Sequence, residues 1–255
     1  MTVKPFGIFA ATRWEIGAVL QAFPSYDVRS VNGISYWVGC AGGSPCWVVR
    51  TGIGPRKAEN AVRTIMTAAP LSAIISTGFA CALNEAGVGD VLIGTDIYCR
   101  TSAGYDLVRS CDSELIAEAI HSAKESGLES VSGRFISVAQ VVCRSHEKQA
   151  IARSSGAIGL DMESVALAMA ARDADVPFAV IRTVSDRRDE DLPLDFNLFL
   201  RPTGWIAGAV ACLSNPSSFA GLSRLRAQSR IAATQLRRFH ERYVNVLSAQ
   251  VAAGR

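Results

Sequence analysis

The stretch GLDMESVALAMAARDADVPFAVIRTVSD, residues 159–186, decides how this chain is read. Two carboxylates, Asp161 and Glu163, stand just before the apolar run VALAMAA. The segment then passes through VPFAVI to Arg182, Ser185 and Asp186. AIGLDMES predicts a short strand running into a helix over VALAMAARDA, and PFAVIRTVSD predicts a strand too apolar to have a wetted face. A helix and a buried strand, each flanked by ionisable residues, are the parts of an α/β unit whose strand ends carry polar groups.

The same alternation extends outward in both directions. FGIFAA predicts a first strand and TRWEIGAVLQAF a helix after it; SYWVGC and CWVVRTGIG predict two strands about the turn AGGSP. A helix over PRKAENAVRTIMTAA begins at Pro55, where proline costs no hydrogen bond. SAIISTGFACAL and GDVLIGTDIYC predict strands, and DSELIAEAIHSAKESG an amphipathic helix capped by Asp112 or Ser113 and closed by Gly127. GRFISVAQVV predicts a strand through Val142, and SHEKQAIARSS a helix. Together these elements predict an α/β sandwich around a mixed or largely parallel sheet.

Composition narrows the function classes. The chain has 255 residues, 49% hydrophobic and 19% charged, enough for a sizeable core and too apolar for general disorder. No apolar run approaches the roughly 20 residues needed to span a bilayer, and the start, MTVKPFGIFAATRWE, lacks a secretory pattern. A cytoplasmic protein is expected. Seven Cys without a CxxC pair and three dispersed His, at 121, 146 and 240, support neither a disulfide framework nor a zinc site. No metal or organic cofactor is expected.

At the strand ends, in order, stand Glu15, the turn TGIG at 51–54, Gly78 and Phe79 within STGFA, Glu163, and the Arg182, Ser185 and Asp186 group. The TGIG amides suit a hydroxyl, a phosphate or a water. Glu163 faces a buried helix and needs a partner, which a bound polyol supplies; a carboxylate capping its own helix is the alternative. Three convergent carboxylates suit cleavage at an anomeric carbon. One acid protonates the departing base, one anion stabilises positive charge on the sugar, and one group activates a nucleophile.

TGIG, STGFACALNEAGVGDVLIGTD, GLDMES and VIRTVSD resemble the purine nucleoside phosphorylase and uridine phosphorylase superfamily. The likeness covers residues 6–196 and is closest to the methylthioadenosine and S-adenosylhomocysteine nucleosidase branch. The resemblance implies a three-layer α/β/α sandwich with a mixed central sheet and a site at a subunit interface, hence a homodimer or higher homo-oligomer. It implies Asp186 as the acid at N7 of a purine, oriented by Ser185. Glu163 would bind the ribose hydroxyls with Met162 packed on the sugar, and Glu15 would activate water in a pocket organised by Arg182. Val141 and Val142 would wall the base, where nucleosidases of this branch usually have Phe and Ile. Near Phe79 this chain also lacks the serine common in the glycine-rich segment.

An adenosyl nucleosidase is therefore the expected activity. Phosphorolysis, with inorganic phosphate as co-substrate held by Arg182 and the TGIG amides, is the alternative, and a nonenzymatic nucleoside-binding protein is the competitor from another class. A charge asymmetry accompanies these readings. From Arg201 onward the net charge is +7, against −4 before it, which divides the chain into a catalytic domain, 1–200, and a basic helical extension, 201–255. Within the extension Leu222, Leu225, Ala232, Leu236, Phe239, Tyr243 and Leu247 recur on one helix face, with arginines mostly outside it. This face either docks on the domain or rests on an anionic inner-membrane surface. The basic tail and the aliphatic base wall resemble the hopanoid-associated branch, which removes adenine from adenosylhopane, a lipid-linked nucleoside. No nucleic-acid recognition module is present, so a nucleic-acid partner is not expected.

Overall fold

The strand containing Ile74 and Ile75 shows why the chain layers as it does. Successive side chains of a strand point to opposite faces, and here Ile75 enters one core while Ile74 enters another. The computed structural model describes residues 4–197 and 217–252. Its strands are β1 (Phe6–Ala10), β2 (Tyr26–Val31), β3 (Ile34–Ala41), β4 (Ser44–Arg50), β5 (Ala73–Ala82), β6 (Val91–Thr101), β7 (Gly104–Ser110), β8 (Ser130–Ser137), β9 (Gly159–Asp161) and β10 (Phe178–Arg187). Its helices are α1 (Arg13–Leu20), α2 (Pro55–Ala68), α3 (Ser113–Glu125), α4 (Ser145–Ser155), α5 (Ser164–Asp173) and α6 (Ser217–Ala252).

The strands form one mixed sheet in the order β10-β6-β8-β9-β5-β1-β4-β3-β2, with β7 beside β6. Strand β10 pairs in parallel with β5 as well as antiparallel with β6, so five of the strands curl into a closed ring. Helices α2 and α5 cover one face through Val62, Ile65, Leu167 and Ala171. Helices α1, α3 and α6 cover the other through Ile16, Leu115, Leu236 and Phe239. The expected three-layer mixed α/β architecture is the one observed.

Three differences from the sequence reading have local causes. Strands β2 and β7 were not expected; each is a largely exposed edge strand, so neither carries a continuous apolar signal. Strand β8 stops at Ser137 instead of continuing to Val142, because residues 138–142 leave the sheet to form one wall of a cavity. The apolar stripe of α6 does not face outward. Ala232, Leu236, Phe239 and Tyr243 are fully buried, Tyr243 donates to the Leu115 carbonyl at 3.2 Å, and Thr77 Oγ1 and His240 Nε2 are 3.0 Å apart. Entry of this stripe into a lipid interface is thus corrected, since the domain core already occupies it. The expected boundary near Pro202 lies outside the described residues.

Candidate active site

Glu15 owes its place to a helix start. Thr12 caps α1, its Oγ1 accepting the Glu15 amide, while Glu15 Oε2 accepts the Thr12 amide at 2.6 Å in a capping box. The other oxygen, Oε1, accepts the Phe79 amide at 2.7 Å. This close approach requires the residue before Phe79 to be glycine. Gly78 has φ +135°, and a Cβ there would collide with Glu15 Oε1 and stand 2.8 Å from Arg182 Nη1.

Glu163 stands at the N-terminus of α5 but makes no cap to its own helix. Its Oε1 instead accepts the amide of Gly54 at 2.7 Å, so the end of the TGIG turn holds a protein carboxylate. Gly54 has φ +99°, a conformation that glycine adopts without strain. Burial pushes the Glu163 carboxyl up to about 7, with Asp161 and Glu15 adding to the rise while Arg182 and the Gly54 amide oppose it.

The helix cap comes from Asp161, whose Oδ1 accepts the Ser164 amide at 3.2 Å and whose Oδ2 accepts the Ser164 hydroxyl. Arg182, 1% exposed, pairs with the same carboxylate at 2.9 Å and donates to the Thr77 carbonyl, Ser76 Oγ and Ser164 Oγ. Its fork is committed within the protein. Arg182 and Gly78 sit beside the carboxylates, Arg182 paired with Asp161 and Gly78 packed against Glu15 and Arg182.

Asp186 reaches the cavity through a β-bulge. The register between β10 and β5 slips between Val184 and Asp186, which turns the carboxylate toward the opening. Ser185 Oγ donates to Asp186 Oδ1 at 2.9 Å. Oδ2 accepts from Lys148 Nζ at 2.6 Å. Lys148 is completely buried on α4 and was missed by the sequence reading. Lys148 and Ile151, three residues apart, are the buried positions of α4, so the lysine sits on the helix's inward face, which the polar run SHEKQAIARSS does not announce.

The cavity, about 380 Å³, brings Glu15, Glu163, Ser185 and Asp186 together with Phe79, Val141, Val142 and Met162. Ile53, Leu192, Phe196 and Leu225 extend its apolar wall, and the last of these comes from α6. The 138–142 segment is pinned by Asn197, whose Oδ1 accepts the Val141 amide at 2.8 Å and whose Nδ2 donates to the Val141 carbonyl at 2.9 Å. Among the described residues no His, Cys, Asp and Glu group is arranged to hold a metal ion.

Comparison with known proteins agrees with this geometry at the level of fold and family. The family model described as the phosphorylase superfamily matches residues 5–202. The 5′-methylthioadenosine/S-adenosylhomocysteine nucleosidase of Shewanella sediminis (strain HAW-EB3) is 25% identical over 213 residues, covering 78% of this chain and 93% of that protein. The nucleosidase of the same description from Neisseria meningitidis, solved with methylthio-immucillin-A, superposes with a TM-score of 0.73 at 21% identity, covering 95% of this chain and 99% of that one. Futalosine hydrolase of Helicobacter pylori superposes with a TM-score of 0.70 at 18% identity over 93% and 97% of the two chains.

Proposed function

The chain belongs to the phosphorylase superfamily, and from that premise we propose that it is a purine nucleosidase releasing adenine from an adenosyl compound with an apolar 5′ substituent. One observation carries the reading: four carboxylates line one cavity on which no Lys or Arg is among the described lining residues, and Glu15, Glu163 and Asp186 face it with Asp161 already held by Arg182 and Ser164. Asp186 donates a proton to the purine as the glycosidic bond breaks, which removes the charge that would otherwise build on the leaving group. Glu163 accepts from ribose hydroxyls and offsets the positive charge developing on the sugar. Glu15, held by the Thr12 and Phe79 amides, takes the proton of the attacking water. Met162 packs on the sugar, while Phe79, Val141 and Val142 wall the base.

Hydrolysis is favoured over phosphorolysis by what the basic groups already hold. The Arg182 guanidinium is committed to Asp161, Thr77, Ser76 and Ser164, and the Gly54 amide to Glu163. Among the described residues, a phosphate dianion in this cavity would face carboxylates with no uncommitted cation on the wall. Among the described residues Ile53, Leu192, Phe196 and Leu225 give the wall an apolar character that favours an aliphatic substituent over a charged homocysteine one. Adenosylhopane is the finer reading and methylthioadenosine the second, since both meet that apolar requirement.

The test is adenine release from adenosylhopane, methylthioadenosine and S-adenosylhomocysteine, with and without phosphate, the sugar product being identified by mass. Free ribosyl product at an undiminished rate without phosphate supports the proposal. Strict phosphate dependence with a ribosyl 1-phosphate product overturns hydrolysis, and a preference for S-adenosylhomocysteine overturns the apolar substituent.

A further inference from the structure

Lys148 meets the full donor capacity of an ammonium group in the interior of the protein. Nζ donates to Asp186 Oδ2 at 2.6 Å, to the Glu190 carbonyl at 3.0 Å and to the Arg187 carbonyl at 3.3 Å, while the residue itself is wholly buried. Three acceptors for three N–H bonds identify the charged form, and the partner of a buried cation is a carboxylate. Burial lowers the basicity of Lys148, but the Asp186 carboxylate, supported by Cys81 and Glu190, raises it above its ordinary 10.5.

This pairing bears directly on the leaving-group acid of the proposed reaction, and the inference rests on that reading. A carboxylate paired with an ammonium has no proton to give a purine. The Cys81 thiol on β5 also interacts with Asp186, but burial raises it well above 9.0, and the Ser185 hydroxyl occupies Oδ1 as a neutral donor. Glu190 and Cys143 are the other titratable groups that feel Lys148; burial raises Cys143, and Glu190 contributes negative charge. Of these groups only Lys148 is a cation in contact with Asp186.

We propose that Lys148 is the proton source for Asp186, acting as a relay and positioning residue that does not touch the substrate. As the C1′–N9 bond breaks, its electron pair leaves with the purine. N7 takes a proton from Asp186, and Asp186 takes one from Lys148 Nζ, which becomes a neutral amine. The water that attacks C1′ gives its proton to Glu15. After the products depart, Glu15 returns its proton to solvent and Lys148 regains one, so the cycle closes with no other reactant. Negative charge gathering on the departing purine draws the proton through the intervening carboxylate, and a bound neutral nucleoside carries no such charge. The proton therefore moves only when the bond breaks.

The experiment compares wild type, Lys148→Met, Asp186→Asn and the double variant for adenine release between pH 5 and 9. Lys148→Met is expected to lose about 10²- to 10³-fold near pH 7.5. The ratio of its rate to that of wild type is expected to climb as pH falls, because a buried carboxylate without its cation takes up a solvent proton more readily. Using the ratio cancels the titration of Glu163. A ratio unchanged across the pH range, or no loss, overturns the relay. Where Lys148→Met does not fold, the double variant, which removes both charges, carries the test: a rate within about threefold of Asp186→Asn supports coupling through one path, and a further loss of tenfold or more overturns it. Retained activity in Asp186→Asn would instead overturn the acid assigned under the proposed function, whatever Lys148 does.

Discussion

Gly54 and Glu163, 109 residues apart in sequence, are joined by a 2.7 Å hydrogen bond from the Gly54 amide to Oε1 of the glutamate. The amide holds one carboxylate oxygen in place while burial keeps the carboxyl's proton affinity high, up to about 7. For the proposed reaction the ionised form is the useful one, because it accepts from ribose hydroxyls and opposes positive charge. The ratio kcat/KM is therefore expected to rise as pH increases through about 7, and Glu163→Gln to lower the rate and abolish that limb. A pH profile on the free enzyme checks both.

The same raised value makes a stability prediction of opposite sense. Between 4.5 and about 7 the native carboxyl keeps a proton that the unfolded chain has lost, so stability falls as pH rises through that window and levels off above it. The total is roughly 3 kcal/mol. Glu163→Gln retains an oxygen for the Gly54 amide and is expected to be more stable than wild type at pH 8 but not at pH 4. Denaturant melts of both proteins check this as a difference, which cancels the buried His240.

Asp186→Asn is expected to slow adenine release by about 10²- to 10⁴-fold, since an amide donates no acidic proton. It also leaves Lys148 as a buried cation without a counter-ion, at a cost of about 3–5 kcal/mol. Thermal melts read alongside turnover separate the two effects: the double variant with Lys148→Met is expected to regain stability without regaining activity.

Gly78→Ala tests the close approach behind the site. With φ at +135° and Glu15 and Arg182 against the missing Cβ, the variant is expected to lose at least about 1–3 kcal/mol and most of its turnover. Wild-type activity at this position would show that the Glu15 to Phe79 contact is dispensable.

Asn197→Ala removes both hydrogen bonds to Val141 and frees the 138–142 wall. At about 1 kcal/mol net per bond, KM is expected to rise roughly tenfold or more with a smaller change in kcat. Steady-state kinetics on methylthioadenosine check the split.

Phe239→Ala is expected to cost about 3–5 kcal/mol, because this ring is fully buried in the core shared by α1, α3 and α6. A loss of that size, measured by chemical denaturation, would be incompatible with a helix resting loosely on the surface.

The sequence by itself determined the alternation of strand and helix, the burial of β5 and β10, and the candidacy of Glu15, Glu163 and Asp186. These are local properties: apolar period, proline and glycine punctuation, and carboxylates set at the ends of apolar runs. Edge strands β2 and β7 escaped because their side chains are largely solvated, and period carries little information where neither face is buried. What the basic groups do was decided only in three dimensions. Arg182 looked free to meet an anion until folding set Asp161, Ser76, Thr77 and Ser164 around it. Lys148 looked like one charge of a polar helix until α4 placed it 2.6 Å from Asp186, and the apolar stripe of α6 was equally suited to lipid or protein until the core filled it. A charge or an apolar face is written in the sequence, but its partner comes from distant segments, and desolvation makes that partner decide what the group can do.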